Sequence, residues 1–454
     1  MPALREHEPV KLFEYVRRGA WPEVVGYGLF VTLLAAGYYY NITFVQLGLL
    51  DLGTRLVGLP ATTVSAWMGA LALTTFAAAV AFGVLMDRRG WSTDLRAKLR
   101  ALFAVLCVQF VLTLVAPGIR DPAAFGAWVV AASVSMGVGF PVTFSLTVDF
   151  VPVRDRGYVA AAATAVAYFA GNVYPLDWSI GAFSRVMTVA MVPGLVVLGA
   201  LALRDLGFVD AVADNHREFG VGRFCRPDAV RLRSFAFLAP LGLMFGVFFV
   251  DSLGFLRIVE TPALIGSSWQ SPAFSVHLLI GVVHVIGAVV AGVLYTNFDR
   301  NWLFMWVFGL FALTHLLYTF DLRLAAAVPG LAGDAPPLVN PLFYALTVSF
   351  YTTLNFALWP DLSTPATIGT HSAVGVGFAG FLSTFLSTAV ALYFEHAEVT
   401  LISHLSLVNA LALLLFTGLG LSLYGRQVYR HSRAGPADPA DGPVGDDASG
   451  GDPS

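Results

Sequence analysis

The sequence predicts an all-α integral membrane protein, with twelve transmembrane helices in two six-helix pseudo-repeats and both termini cytoplasmic. Three observations predict it. Of 454 residues, 57% are hydrophobic and 12% charged, at a mean hydropathy of +0.74. A soluble domain is about 25% charged, and this much apolar surface cannot all enter one soluble core. The apolar residues gather into twelve runs of the roughly 20 residues that a helix needs to cross a hydrocarbon layer about 30 Å thick. The first half of the chain also resembles the second at an offset of 208–209 residues. A β-barrel is excluded, because its strands alternate over segments of about 10 residues. Two cysteines, Cys107 and Cys225, exclude a disulfide scaffold. The net charge of −3 gives no bias toward nucleic acid.

The elements follow in order. Residues 1–22 are charged and hold no apolar core followed by a small-residue cleavage site, so no signal peptide is expected. Helix 1 (23–47) carries Tyr38, Tyr39, Tyr40, Asn41 and Gln46. Helix 2 (62–86) is rich in Ala and Leu, and helix 3 (99–117) follows a basic cluster from Arg88 to Arg100. Helix 4 (123–150) stops before Pro152. Helix 5 (158–180) holds Tyr168, Asn172 and Asp177, and helix 6 (183–203) closes the first bundle, 23–203. The polar stretch 204–233 reads as a cytoplasmic linker with a short surface helix at 227–233. The second bundle, 234–425, opens with helix 7 (234–256), which carries Asp251. Helix 8 (273–296) carries His277 and His284, seven apart and therefore on one face. Helices 9 (302–320), 10 (340–360, with Tyr351 and Asn355), 11 (370–394) and 12 (399–424) complete it. Residues 426–454 are expected to form a disordered acidic tail. Arginine outnumbers lysine 24 to 2, which fits a GC-rich, salt-adapted source and is equally explained by codon bias.

Orientation follows from the basic residues, which favour the cytoplasmic side. With the N-terminus inside, the inner segments hold 21 of the 26 and the outer loops only Arg55, Arg120, Arg185, Arg257 and Arg323. The repeat shows in three places. Gly83-Val-Leu-Met-Asp87-Arg88 at the end of helix 2 is echoed by Gly292-Val-Leu and, further on, Asp299-Arg300 after helix 8. Pro152 after helix 4 is echoed by Pro360 after helix 10. The Ala- and Gly-rich run 165–171 is echoed by 373–380. Parallel halves related by an axis along the membrane normal mark one transporter architecture.

The loop Gly83-Val-Leu-Met-Asp87-Arg88-Arg89-Gly90 resembles the signature loop of the major facilitator superfamily. Asp149-Phe-Val-Pro152-Val-Arg-Asp-Arg156-Gly157 resembles the acidic and Arg-Gly pattern that members carry after helix 4. The resemblance covers about residues 20–430. It implies a gate made of Gly83, Asp87, Arg88, Gly90, Asp149, Arg156, Asp299 and Arg300. In it, Asp87 faces the N-terminal end of helix 11 near Gly369 to Ser372. That helix end, with orphan N–H groups and a positive dipole, favours an anion by about 0.3–2 kcal/mol. The chain departs from the pattern where Trp91-Ser92 replaces the usual basic pair, so Asp149 is expected to pair with Arg88, Arg156 or Arg96. It departs again at Trp359-Pro360-Asp361, which lacks the Arg-Gly half, so the C-terminal gate is expected to be the weaker. Charges placed only to set topology would explain the same residues.

Polar residues inside a membrane are costly and mark candidate pathways. Substrate contacts are expected from Tyr39, Asn41, Tyr168, Asn172, His284, Tyr351 and Asn355, and coupling-ion sites at Asp251 and Asp177. Each has a plainer explanation. Tyrosines and asparagines also bond neighbouring helices, His284 also serves as a neutral packing histidine, and Asp251 also pairs with Arg257. No phosphate loop, His-Glu-x-x-His, Cys-x-x-Cys or Gly-x-Ser-x-Gly pattern occurs. No enzyme, cofactor or metal site is therefore expected. The helix 5 sequence lacks the glycine-proline run of drug–proton antiporters of the superfamily, and helices 2 and 8 lack the mid-helix arginine of its nitrate porters. The mid-membrane residues suit a neutral or cationic organic solute. The reading is a monomeric, proton- or sodium-coupled secondary transporter of the cytoplasmic membrane. A transport-dead receptor or scaffold on the same fold, and a lipid-modifying enzyme using His284 and Asp251, are the alternatives.

Overall fold

The computed structural model describes residues 21–40, 48–173, 179–204, 207–219, 224, 228–261, 264, 269, 271–327 and 338–433. Asn41, Asp177 and Cys225 lie outside the described residues. Every described regular element is helical. The long helices are α1 (Trp21–Tyr39), α2 (Ala61–Arg89), α3 (Leu95–Val115), α4 (Pro122–Ser145), α5 (Arg156–Val173) and α6 (Ile180–Leu203). After them come α7 (Phe235–Glu260), α8 (Phe274–Asn297), α9 (Arg300–Ala327), α10 (Val339–Asp361), α11 (Ile368–His396) and α12 (Leu401–Arg433).

Local chemistry sets the boundaries. α2 starts after Pro60 and stops at Gly90, whose φ of 70° costs a glycine little. Asp94 caps α3 by accepting from the Arg96 and Ala97 amides, Asp121 caps α4 from Ala124, and Ser179 caps α6 from Ala182. α11 widens into a π-helical stretch over Gly375–Leu382, where Gly375 lies against the indole of Trp359.

Nine helices among the described residues are long and apolar enough to cross a membrane: α2, α3, α4, α6, α7, α8, α9, α11 and α12. The other three are α1, α5 and α10, which are short or polar. α10 is buried at every residue from Thr347 to Asp361 and brings Ser349, Thr352, Thr353 and Asn355 into the interior. On the outside, Val189, Val196 and Leu203 of α6 and Leu414 and Leu421 of α12 are 65–72% exposed. Such a belt has no place in water.

The packing repeats by a simple rule. α1 packs on α5 as α7 packs on α11; α2 on α4 as α8 on α10; and α3 on α6 as α9 on α12. Contacts between the halves come in image pairs: α2 with α11 and α5 with α8, then α4 with α11 and α5 with α10.

The structure corrects the sequence in the linker. No helix forms over the described residues of 227–233, and a helix runs instead over Phe208–Phe219. Phe208 and Val212, one turn apart, are buried, while Asp214 and Arg217 face out. Its apolar stripe is too narrow to stand out in a scan for 20-residue runs. α12 also continues to Arg433, so the first residues expected in the tail are helical.

Candidate functional site

A cavity of about 1010 Å³ lies between the two halves. Tyr39, Tyr168, Asn172, Asp251, His284, Tyr351 and Asn355 all line it. The structure thus gathers every described residue of the expected substrate and ion set into one space. The cavity reaches Asp51, Ser179 and Trp269 at the end of the molecule remote from Asp87.

At its centre the halves meet through hydroxyls. The Tyr38 hydroxyl lies 2.8 Å from that of Tyr168, and both reach Thr352 of α10, at 3.4 and 3.2 Å. His284 stacks on Tyr168 with ring centroids 4.4 Å apart and planes 7° off parallel. The hydroxyl of Ser349 donates to the His284 carbonyl and lies 2.9 Å from its Nδ1. A hydroxyl has one proton to give, so Nδ1 is the donor of that pair. Nε2 is then a buried acceptor with no hydrogen-bond partner among the described residues.

Asp251 receives the hydroxyl of Tyr344 on one carboxylate oxygen and that of Tyr351 on the other, both at 2.7 Å. Hydrogen bonds to charged groups contribute about 1.5–3 kcal/mol each, comparable to the several kcal/mol of burying one carboxylate. Asp251 does not pair with Arg257, which bonds Glu395 at 3.4 Å instead. Asn355 accepts from the Trp359 indole, and Asn172 donates to the Tyr168 carbonyl, so both partly serve packing. Tyr39 lies against Phe183. Asp51, outside the spanning segments, holds Arg55 through two bonds of 2.6 and 2.8 Å, and that arginine keeps its carboxyl below the usual range.

The opposite end is shut by contacts between the halves. Asp87 accepts from the backbone amides of Gly369 (3.1 Å) and Thr370 (2.8 Å) and from the hydroxyls of Thr370 and Ser92. Gly83 makes this approach possible: a β-carbon there would sit 2.5 Å from the Gly369 carbonyl oxygen. Gly157 and Gly292 repeat the device between α5 and α8, where a β-carbon on either would meet the other's carbonyl oxygen at 2.9 Å. Arg156 reaches across to Asp361 at 2.7 Å, and Tyr295 donates to the same carboxylate at 2.7 Å. The linker crosses this end. His216 bonds the Asp149 carbonyl at 2.8 Å, the Phe224 carbonyl accepts from Arg156 at 2.6 Å, and Val230 bonds both Leu362 and His371.

Three expectations are corrected. Asp149 pairs with Lys98 at 2.7 Å, not with Arg88, Arg96 or Arg156. Lys98 is buried, and a four-carbon stem reaches past the Ser145 carbonyl, which it also bonds. Among the described residues, Asp299 and Arg300 form no hydrogen bond or ion pair between the halves: Asp299 is exposed and accepts from the Asn301 amide at the start of its own helix. Arg88 is likewise exposed. The exit of α10 does not go without a charge pair, because Asp361 takes the arginine that the second half lacks from the first half. Lys98, Asp361, Ser92, Tyr344 and His371 were missed as site residues. Lys98 had one faint signal, as one of only two lysines in the chain.

No protein-family model and no curated protein matches the sequence. Solved structures do. The proton:xylose symporter XylE bound to 6-bromo-6-deoxy-D-glucose is similar at a TM-score of 0.57 and 13% identity, over 87% of this chain and 96% of that one. XylE from E. coli in a partially occluded inward-open conformation gives a TM-score of 0.56, again at 13% identity, 87% and 96%. The human organic anion transporter MFSD10 gives 0.54 at 16% identity, over 88% of this chain and 98% of that one.

Proposed function

We propose that this chain, which has the fold of major facilitator superfamily transporters, is a secondary active transporter. It moves a small organic solute across the cytoplasmic membrane by alternating access. The observation that carries this reading is a central cavity whose one end is shut by contacts made only between the two halves. Contacts of that kind exist in one arrangement of the halves and vanish in the other, so they bias a two-state equilibrium. In this reading the twelve long helices each cross the bilayer, both termini are cytoplasmic, and the shut end is the cytoplasmic one. A proton or sodium gradient drives the cycle, with Asp251 the coupling-ion site among the described residues. One chain builds the whole cavity, so a monomer suffices, and no cofactor takes part. The two comparison proteins differ in cargo by their titles, xylose against organic anions, so the fold alone does not choose the solute.

Asp87→Asn tests the gate. An amide keeps the size but loses the charge that the α11 helix end favours by up to about 2 kcal/mol. Counterflow of labelled metabolites in proteoliposomes is expected to fall several-fold, while reconstitution yield and melting temperature hold. An unchanged counterflow rate removes Asp87 from the gate. Absence of counterflow for every solute in the wild-type chain removes the transporter reading.

A further inference from the structure

Among the described residues, the Asp251 carboxylate is the one charge in the cavity that the protein does not balance. Among the described residues no Lys or Arg lines the cavity, and its other acid, Asp51, is paired with Arg55. The undescribed residues 41–47, 174–178, 262–263, 265–268, 270 and 328–337 contain no Lys or Arg in sequence either. Arg257, the nearest basic residue on the same helix, is committed to Glu395. A carboxylate offers about four acceptor positions, and Tyr344 and Tyr351 fill one on each oxygen. Positions therefore remain for a donor arriving through the cavity.

Aromatic side chains line the cavity on both sides of that carboxylate along α7. Phe248, a turn earlier on α7, packs on Tyr351 with centroids 5.0 Å apart. Phe255, a turn later, packs on Trp269 at 5.1 Å, and Trp269 packs on Tyr344 at 5.5 Å. Phe248, Phe255 and Trp269 all line the cavity beside Asp251. The negative faces of aromatic rings attract a cation, by more when it is desolvated. A buried carboxylate without a counter-charge is unstable when water is excluded, and a cationic ligand removes that penalty. An anionic ligand adds to it.

From this geometry we propose that the cargo is a monovalent organic cation, whose ammonium group sits on Asp251 within the ring of Phe248, Phe255 and Trp269. The apolar remainder of the ligand lies toward Tyr39 and Tyr168. In taking the ligand as cargo, this rests on the transporter reading above. Because the coupling ion and the ammonium use one carboxylate, they bind it in turn.

The test uses the purified full chain and three probes of one skeleton: 2-phenylethylammonium, neutral 2-phenylethanol and anionic 3-phenylpropanoate. Calorimetric titration is expected to give at least tenfold tighter binding of the ammonium than of the alcohol, with no binding of the carboxylate. Asp251→Asn is expected to abolish the tenfold preference. Phe255→Leu, which keeps an apolar side chain, is expected to weaken the ammonium several-fold more than the alcohol. Equal binding of ammonium and alcohol by the wild-type chain overturns the proposal, whether or not the Asn variant folds. So does tighter binding of the carboxylate. Proteoliposome counterflow separates the two readings. Ammonium binding without counterflow keeps the site and rejects transport, whereas counterflow of only neutral or anionic solutes keeps transport and rejects the cation.

Discussion

Arg156 shows how much one side chain holds. Its guanidinium joins the two halves through Asp361 and anchors the linker through the Phe224 carbonyl, and it is buried while doing so. Removing one member of a buried pair costs about 3–5 kcal/mol, because the other charge is stranded. Arg156→Met is expected to lower the melting temperature clearly and to depopulate the state with this end shut. Arg156→Met combined with Asp361→Leu is expected to recover much of the loss, since no charge is then left alone. A double variant as unstable as the single would show that the arginine acts through packing alone. The sequence marked Arg156 for the gate but not its partner. Asp361 lies 205 positions away in the other half, and the packing of α5 on α8 and α10 brings them together. Lys98 was hidden differently: it stood in a basic cluster that sets topology, and nothing in a one-dimensional run shows one member turning inward.

At the scale of elements, most helices were legible because span length and apolarity are properties of a run, independent of partners. The helix Phe208–Phe219 was not, because it is stabilised by docking Phe208 on Phe150 at the end of the first bundle. The crossing of α2 with α11 carries a sharper prediction. Backbone meets backbone there, so an added side chain has no flexible neighbour to displace. Gly83→Val is expected to cost roughly 1–3 kcal/mol in this arrangement, the scale of overpacking. The cost falls only on the arrangement with this end shut. A spin-label distance across the ends of α2 and α11 is therefore expected to lengthen, with the melting temperature less affected. An unchanged distance would mean that the crossing is looser than the structure shows.

For the whole molecule, the linker matters as more than a tether. A tether is insensitive to composition, and doubling its length costs only about 0.6 kcal/mol. Here Phe224 and Val230 bond side chains and backbone of both halves at the shut end. Replacing residues 224–230 by Gly and Ser of equal length is expected to raise the reactivity of a cysteine placed at Thr296, beside the Gly157 contact. A tether alone would leave that reactivity as it was. The six-helix offset in the packing has a wider consequence. The glycine face of α2 finds its partner in the other half, and so does that of α8. One half by itself would meet both surfaces only in a second copy of itself, set the same way round. The chain carries both copies in one polypeptide, with Asp87 in the first half and the cavity carboxylate Asp251 in the second.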